Sequence, residues 1–137
     1  MSHTLRLDPS GTWLDLRYQG VVSVAERIQA WAEAKPILLE SGVRRILIDL
    51  MRASAANDPV QDFSAFVATI TREPILLQSR TAFVAPPVNY VNHRIEVLAD
   101  ARHYPFSRFT DRDTALEWLL GDAPPLGLEG ALRLEDG

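Results

Sequence analysis

The chain has 137 residues, a net charge of −4 and no cysteine. That length suits one domain, which buries roughly two-thirds of its unfolded-chain surface and folds without covalent staples. The missing cysteines remove disulfides and thiol chemistry. Charges of both signs are interspersed, so no Lys/Arg run marks a nucleic-acid groove or an anionic membrane surface. No apolar stretch approaches the ~20 residues of a membrane span. Met1-Ser2-His3-Thr4 lacks the basic and apolar regions of a signal peptide. A cytoplasmic protein is expected.

Thr4 to Leu7 reads as a short strand, followed by the type I turn signal Asp8-Pro9-Ser10-Gly11. Trp13 to Tyr18 alternates, with Leu14, Leu16 and Tyr18 on one face and Asp15 and Arg17 on the other, so the two segments predict an antiparallel hairpin. Ser23-Val24-Ala25-Glu26 is a capping box that opens a helix. Ile28, Trp31 and Ala32 supply its buried stripe, and Gly42 stops it. Pro36 predicts a break or restart at Lys35, because the ring removes a donor and crowds the preceding turn.

Val43 to Leu50 is the central stretch, apolar and partly β-branched at its end, as a strand buried on both faces of a parallel sheet reads. A loop from Met51 to Asp58 is expected next, then a helix capped by Asp58 with Pro59 at its first position. Phe63, Phe66, Val67 and Ile70 form its apolar stripe. Lys35-Pro36-Ile37-Leu38-Leu39 is echoed by Glu73-Pro74-Ile75-Leu76-Leu77, which reads as a shared helix-to-strand device rather than a repeat. Thr81 to Ala85 is a strand, Val88 to Leu98 carries a helical stripe, and Pro105 to Phe109 is a strand near an edge. Thr110-Asp111-Arg112-Asp113 caps a last helix with Ala115, Leu116 and Leu119 buried.

The expected architecture is α/β: a mixed, mainly parallel sheet of about five strands with an N-terminal antiparallel hairpin, flanked by about four helices. One domain over 1–121 is followed by a Pro-, Gly- and Leu-containing tail over 122–137. Leu126, Leu128, Leu132 and Leu134 imply that the tail packs on the domain or on a second copy, and a homodimer is the commonest assembly.

Three pieces between Trp13 and Leu120 resemble the SpoIIAA-like branch of the STAS (sulphate transporter and anti-sigma factor antagonist) superfamily. Arg45-Ile46-Leu47-Ile48-Asp49-Leu50 is similar to its central strand, and Arg80-Thr81-Ala82-Phe83-Val84-Ala85 to its next strand. Phe106-Ser107-Arg108-Phe109-Thr110-Asp111 running into Ala115-Leu116-Glu117-Trp118-Leu119 is similar to its last strand and helix. The resemblance implies a compact cytoplasmic domain without a settled enzymatic activity, some of whose relatives bind apolar ligands and others act as protein-binding switches. The Asp-Ser-Ser-Gly of anti-sigma antagonists is replaced here by Met51-Arg52-Ala53-Ser54-Ala55-Ala56. The phosphorylatable serine therefore does not carry over. A phosphate on Ser54 would also meet the carboxylates of Asp58 and Asp62.

No metal-binding spacing links His3, His93 and His103, and no nucleotide-binding or nucleophile-elbow motif is present, so no cofactor is expected. Asp49 reads as a carboxylate hydrogen-bonded to a neighbouring loop or, functionally, as a polar anchor at the strand's carboxyl end. Open α/β sheets bind ligands beyond those ends. The expected site is an apolar cleft between the loops Met51–Asp58 and Ala85–Asn92, with Met51, Ser54, Phe63, Asn89 and Tyr90 lining it and Asn92 and Arg94 adding polar contacts. The first expectation is a non-enzymatic binding or regulatory module with a protein partner. The second is a carrier or sensor of a small apolar, lipid-like ligand. A small hydrolase using Asp49, Ser54 or His93 stands third.

Overall fold

The computed structural model describes residues 2–87 and 91–128. Five strands form one sheet in sequence order: β1 (Ser2–Leu7), β2 (Leu14–Val22), β3 (Arg45–Ala55), β4 (Arg80–Val84) and β5 (Phe106–Phe109). β1 pairs antiparallel with β2, and every other pair is parallel. The helices are α1 (Val24–Ser41), α2 (Val60–Ile70), the single turn α3 (Pro74–Leu77), α4 (His93–Ala101) and α5 (Arg112–Leu119). The expected α/β architecture holds.

The sheet divides the core in two. Leu14, Leu16, Tyr18, Ile46, Leu50, Phe83 and Phe106 pack with α1, α2 and α4 residues such as Ala30, Leu38, Phe63, Val67 and Ile95. On the opposite face Leu47, Ala82, Val84 and Phe109 pack with Ala115, Trp118 and Leu119 of α5. Right-handed crossovers between parallel strands added in one direction place α1, α2 and α4 together. α5 follows the last strand and is free to cover the other side. Its N-terminus is tied there by Arg112, which donates to Asp49 Oδ2 at 2.7 Å and to Asp15 Oδ2 at 3.0 Å.

Helix α1 starts as its capping box requires: Ser23 accepts the Glu26 amide at 3.1 Å. It ends at Gly42, whose φ of 76° puts it in the left-handed region. The expected break at Pro36 is absent, and α1 runs unbroken through it. Pro36 and Ala32, whose carbonyl loses its partner, both lie on the exposed side, where water can supply the missing bond. The buried face is also rotated from the expected one. It carries Val24, Glu26, Arg27, Ala30, Ala34 and Leu38, with Ile28 and Ala32 outside. The edge strand is held to this helix by His3, whose ring nitrogens lie 3.2 Å from Glu26 Oε2 and 2.8 Å from Glu33 Oε2.

Two further expectations change. β3 continues to Ala55, because β2 extends to Val22 and pairs with it from Gln19↔Arg52 to Val22↔Ala55. Between Arg17↔Asp49 and Gln19↔Arg52, β3 has one more residue than β2, a bulge that switches which side chains face the large core. Ile46 precedes it on that face, Leu50 lies within it and Ala53 follows. Asp49 Oδ1 accepts the Met51 amide at 2.9 Å within the bulge. Secondly, Asp58 does not cap α2, whose cap is Pro59. Its carboxylate instead accepts the Val24 amide at 3.1 Å, serving the first turn of α1.

Of the tail, residues 122–128 are described, and residues 126 and 127 lie beside β5. Gly127 N–H donates to Phe106 O at 2.8 Å, Leu126 N–H to Ser107 Oγ at 2.9 Å, and Arg80 to Ala123 O at 2.7 Å. Leu128 packs on the large core.

Candidate functional site

The carboxyl ends of the parallel strands meet the connections Ala56–Pro59, leading to α2, and Ala85–Asn92, leading to α4. Between them is a cleft of about 350 Å³ lined by Ala55, Ala56, Asn57, Phe63, Val91, His93 and Arg94. Phe63 is buried beneath it, with the Arg94 guanidinium 5.6 Å from its ring centre, within cation–π range.

Of the residues expected here, Phe63 lines the cleft. Met51 and Ser54 do not: both are exposed β3 residues, because the segment expected as a loop is strand to Ala55. Asn89 and Tyr90 lie outside the described residues. Asp49 has its two oxygens engaged by Arg112 and the Met51 amide, so it ties sheet to helix. Ser54 pairs with Val21 in the sheet. His93 is exposed at the first position of α4.

Beneath the cleft is a group of buried polar residues that the sequence reading did not single out. Arg27 donates to Val91 O at 3.3 Å, and Arg108 donates to Pro86 O at 3.2 Å, so two arginines hold the two ends of the β4–α4 connection. Glu96 joins them. Its carboxylate accepts from Asn92 Nδ2 at 3.0 Å and lies 3.1 Å from Arg108 Nε. Burial pushes the Glu96 carboxyl above its usual range, and Arg108 pulls it back. Burial also lowers the Arg27 pKa and raises the Tyr18 phenol beneath that guanidinium to about 12. Among the described residues, Arg27 Nε and Asn92 Oδ1 have no hydrogen-bond partner. A sequence signal did exist: Arg27 falls in register with Ala30, Ala34 and Leu38, a charge in an otherwise apolar helical stripe.

No group of three or more His, Cys, Asp or Glu that could hold a metal occurs among the described residues. No helix among them is long and apolar enough to cross a membrane.

This arrangement of sheet, helices and terminal hairpin is a SpoIIAA-like fold. A structural comparison aligns the chain with the crystal structure of an uncharacterised DUF3478-family protein with a SpoIIAA-like fold from Shewanella loihica. The TM-score is 0.56 at 15% identity, covering 86% of this chain and 92% of that one. No protein-family model matches the chain. No curated protein matches it.

Proposed function

We propose that the protein is a non-enzymatic, cytoplasmic binding or regulatory module that takes a partner or small ligand at the carboxyl end of its parallel strands. The observation that carries this reading is the rim of the cleft, where Arg27 and Arg108 fix both ends of one connection from below. A buried charge is costly unless it is bonded, so placing buried Arg27 and half-buried Arg108 at one connection favours a shaped surface over a plain turn. The cleft's described lining offers an aromatic floor, a cation and an amide, and contains no Ser, Thr, Cys, Asp or Glu to act beside His93. Titration of the ¹⁵N-labelled full chain with benzoate and with indole tests the reading. Saturable shifts confined to 55–57, Phe63 and 91–94, with no turnover of p-nitrophenyl esters, are expected. Absent shifts, or ester turnover abolished by His93→Ala, would overturn it.

A second reading, a carrier or sensor of a small apolar ligand, is favoured by apolar space of about 80 Å³ within the core. That is about half the ~150 Å³ cavity that admits benzene. The guest would therefore be far smaller than a fatty acid.

A further inference from the structure

On its smaller face the sheet is only partly covered. α5 packs there on β3, β4 and β5 through Leu47, Ala82, Val84 and Phe109. Beside it, over β1 and β2, is an open groove of about 650 Å³, lined by Leu116 of α5, by Trp13, and by Thr4, Arg6, Arg17 and Gln19 of the strands. Two strands span about 10 Å, the diameter of one helix. The four strand residues are exposed. The neighbouring carboxylates lie lower and are engaged: Asp15 accepts from Arg17 and Arg112, Asp49 from Arg112, and Asp8 from the Ser10 amide. Arg17 keeps 51% of its side chain in solvent against 13% for Asp15, and Arg6, near Asp8, is in no salt bridge among the described residues. The groove therefore presents guanidinium to solvent. The outer face of α5 has the opposite sign. Ala115, Trp118 and Leu119 are buried, which leaves Asp113, Glu117 and Leu120 on the exposed side at i, i+4 and i+7. Neither carboxylate has an ion-pair partner among the described residues.

We propose that a second copy of the chain fills this groove with its α5, reciprocally, about a two-fold axis that runs along the strands midway between the two sheets. Such an axis sets the two α5 helices side by side in one layer. Each covers β3 to β5 of its own sheet with its inner face and β1 and β2 of the partner's sheet with its outer face. The heights agree. Arg112 ties the start of α5 to Asp49, which lies level with Arg17, and the helix then runs back to Arg80 at the start of β4. Rotation about the strand direction preserves height, so Asp113 meets the partner's Arg17. From Asp113 to Glu117 the helix descends about 6 Å. From Arg17 to Asp15, whose cross-strand neighbour is Arg6, the sheet descends about 6–7 Å. Glu117 therefore meets the partner's Arg6. Leu116, on the groove side of α5, faces the partner's Leu116 across the axis, as a self-complementary patch requires. Exposed ion pairs contribute little each, so this association is weak and screened by salt.

Sedimentation equilibrium of the full chain, from micromolar to millimolar concentration, tests this at about 0.02 M and about 0.5 M salt. A mass that rises toward two copies at low salt is expected, with association about tenfold weaker at high salt. Arg6→Glu and Glu117→Arg, each alone, set like charges against each other and weaken self-association by about tenfold or more. An equimolar mixture of the two variants restores it, because each copy's groove then meets a helix of opposite charge. A mass of one copy for the parent at every concentration would overturn the proposal. So would self-association that Glu117→Arg leaves unchanged, the result expected of pairing through the edge of β1, or a mixture of the variants that stays monomeric.

Discussion

Glu96 is 1% exposed and sits between Asn92 and Arg108. Desolvation outweighs these partners, so its folded pKa stands above the ordinary value for a glutamate. The sign follows from linkage. A carboxyl whose folded pKa is raised contributes its full stability below the unfolded value and loses it as pH rises through the folded value. Glu96→Gln keeps the shape and removes the titration. The stability of this variant relative to the parent is therefore expected to rise as pH climbs from about 4.5, the ordinary Glu value, as read from urea midpoints across that range. A difference independent of pH would refute the linkage. Gly127 makes a second residue-scale case. Its φ is 58°, and an added Cβ would stand within 2.4 Å of Asp100 Oδ1, the atom that accepts the Leu128 amide. Gly127→Ala is expected to loosen residues 126–128 from β5, seen as faster amide exchange at Leu126 and Gly127 with little change in α1. At this scale the sequence was partly legible. Phe63 was found from its helical spacing, whereas the partners of Arg27, Glu96 and Arg108 come from three separate elements, and no local spacing brings them together.

The elements show which signals are local. Ser23 and Asp111 were readable as caps because the bonds they make are only three residues long: Ser23 accepts Glu26 N–H and Asp111 accepts Thr114 N–H. Gly42 was readable for the same reason. The length of β3 was not, because Met51 to Ala55 becomes strand through its pairing with β2, a long-range contact. Asp58 misled because its carboxylate reaches across 34 residues to the start of α1. Pro36 misled because its cost depends on what the freed carbonyl faces. In solvent that cost is tolerated, yet it remains, so Pro36→Ala should stabilise the protein by about 1–3 kcal/mol. The restricted unfolded chain that proline confers offsets part of this gain. Guanidinium melts of the two proteins would show it, and an unchanged or lower midpoint would count against the account. The echoed segments around Pro36 and Pro74 also meet in space, with Lys35 Nζ 3.2 Å from Glu73 Oε2, although one lies within a helix and the other opens a single turn.

For the whole molecule, the two faces of the sheet are unequally supported. α1, α2 and α4 cover one face, and α5 alone packs on the other. α5 is fastened at both ends, by Arg112 to Asp49 and Asp15, and by Arg80, which lies 4.0 Å over the Trp118 ring and donates to Trp118 O at 2.6 Å. Arg80 also grips the tail at Ala123, so tail and helix share one clamp. Ending the chain at Asp122 removes Ala123 from that clamp and Leu128 from the core. The shortened protein is expected to melt several degrees lower, by the ~4–8 °C that about 1 kcal/mol shifts a domain approaching this size. An unchanged melting temperature would show that residues 123–137 contribute nothing to the stability of the fold.

The tail has a consequence for stoichiometry. A sheet has two rims, and a rim with free amides and carbonyls invites another strand. Here residues 126–127 occupy the β5 rim, while among the described residues nothing pairs with the outer side of β1. A molecule with one sticky rim can join one neighbour through it and then has none left. Strand addition through β1 alone would end at two copies, because the same few residues that latch the last strand would deny an open-ended ribbon its second rim.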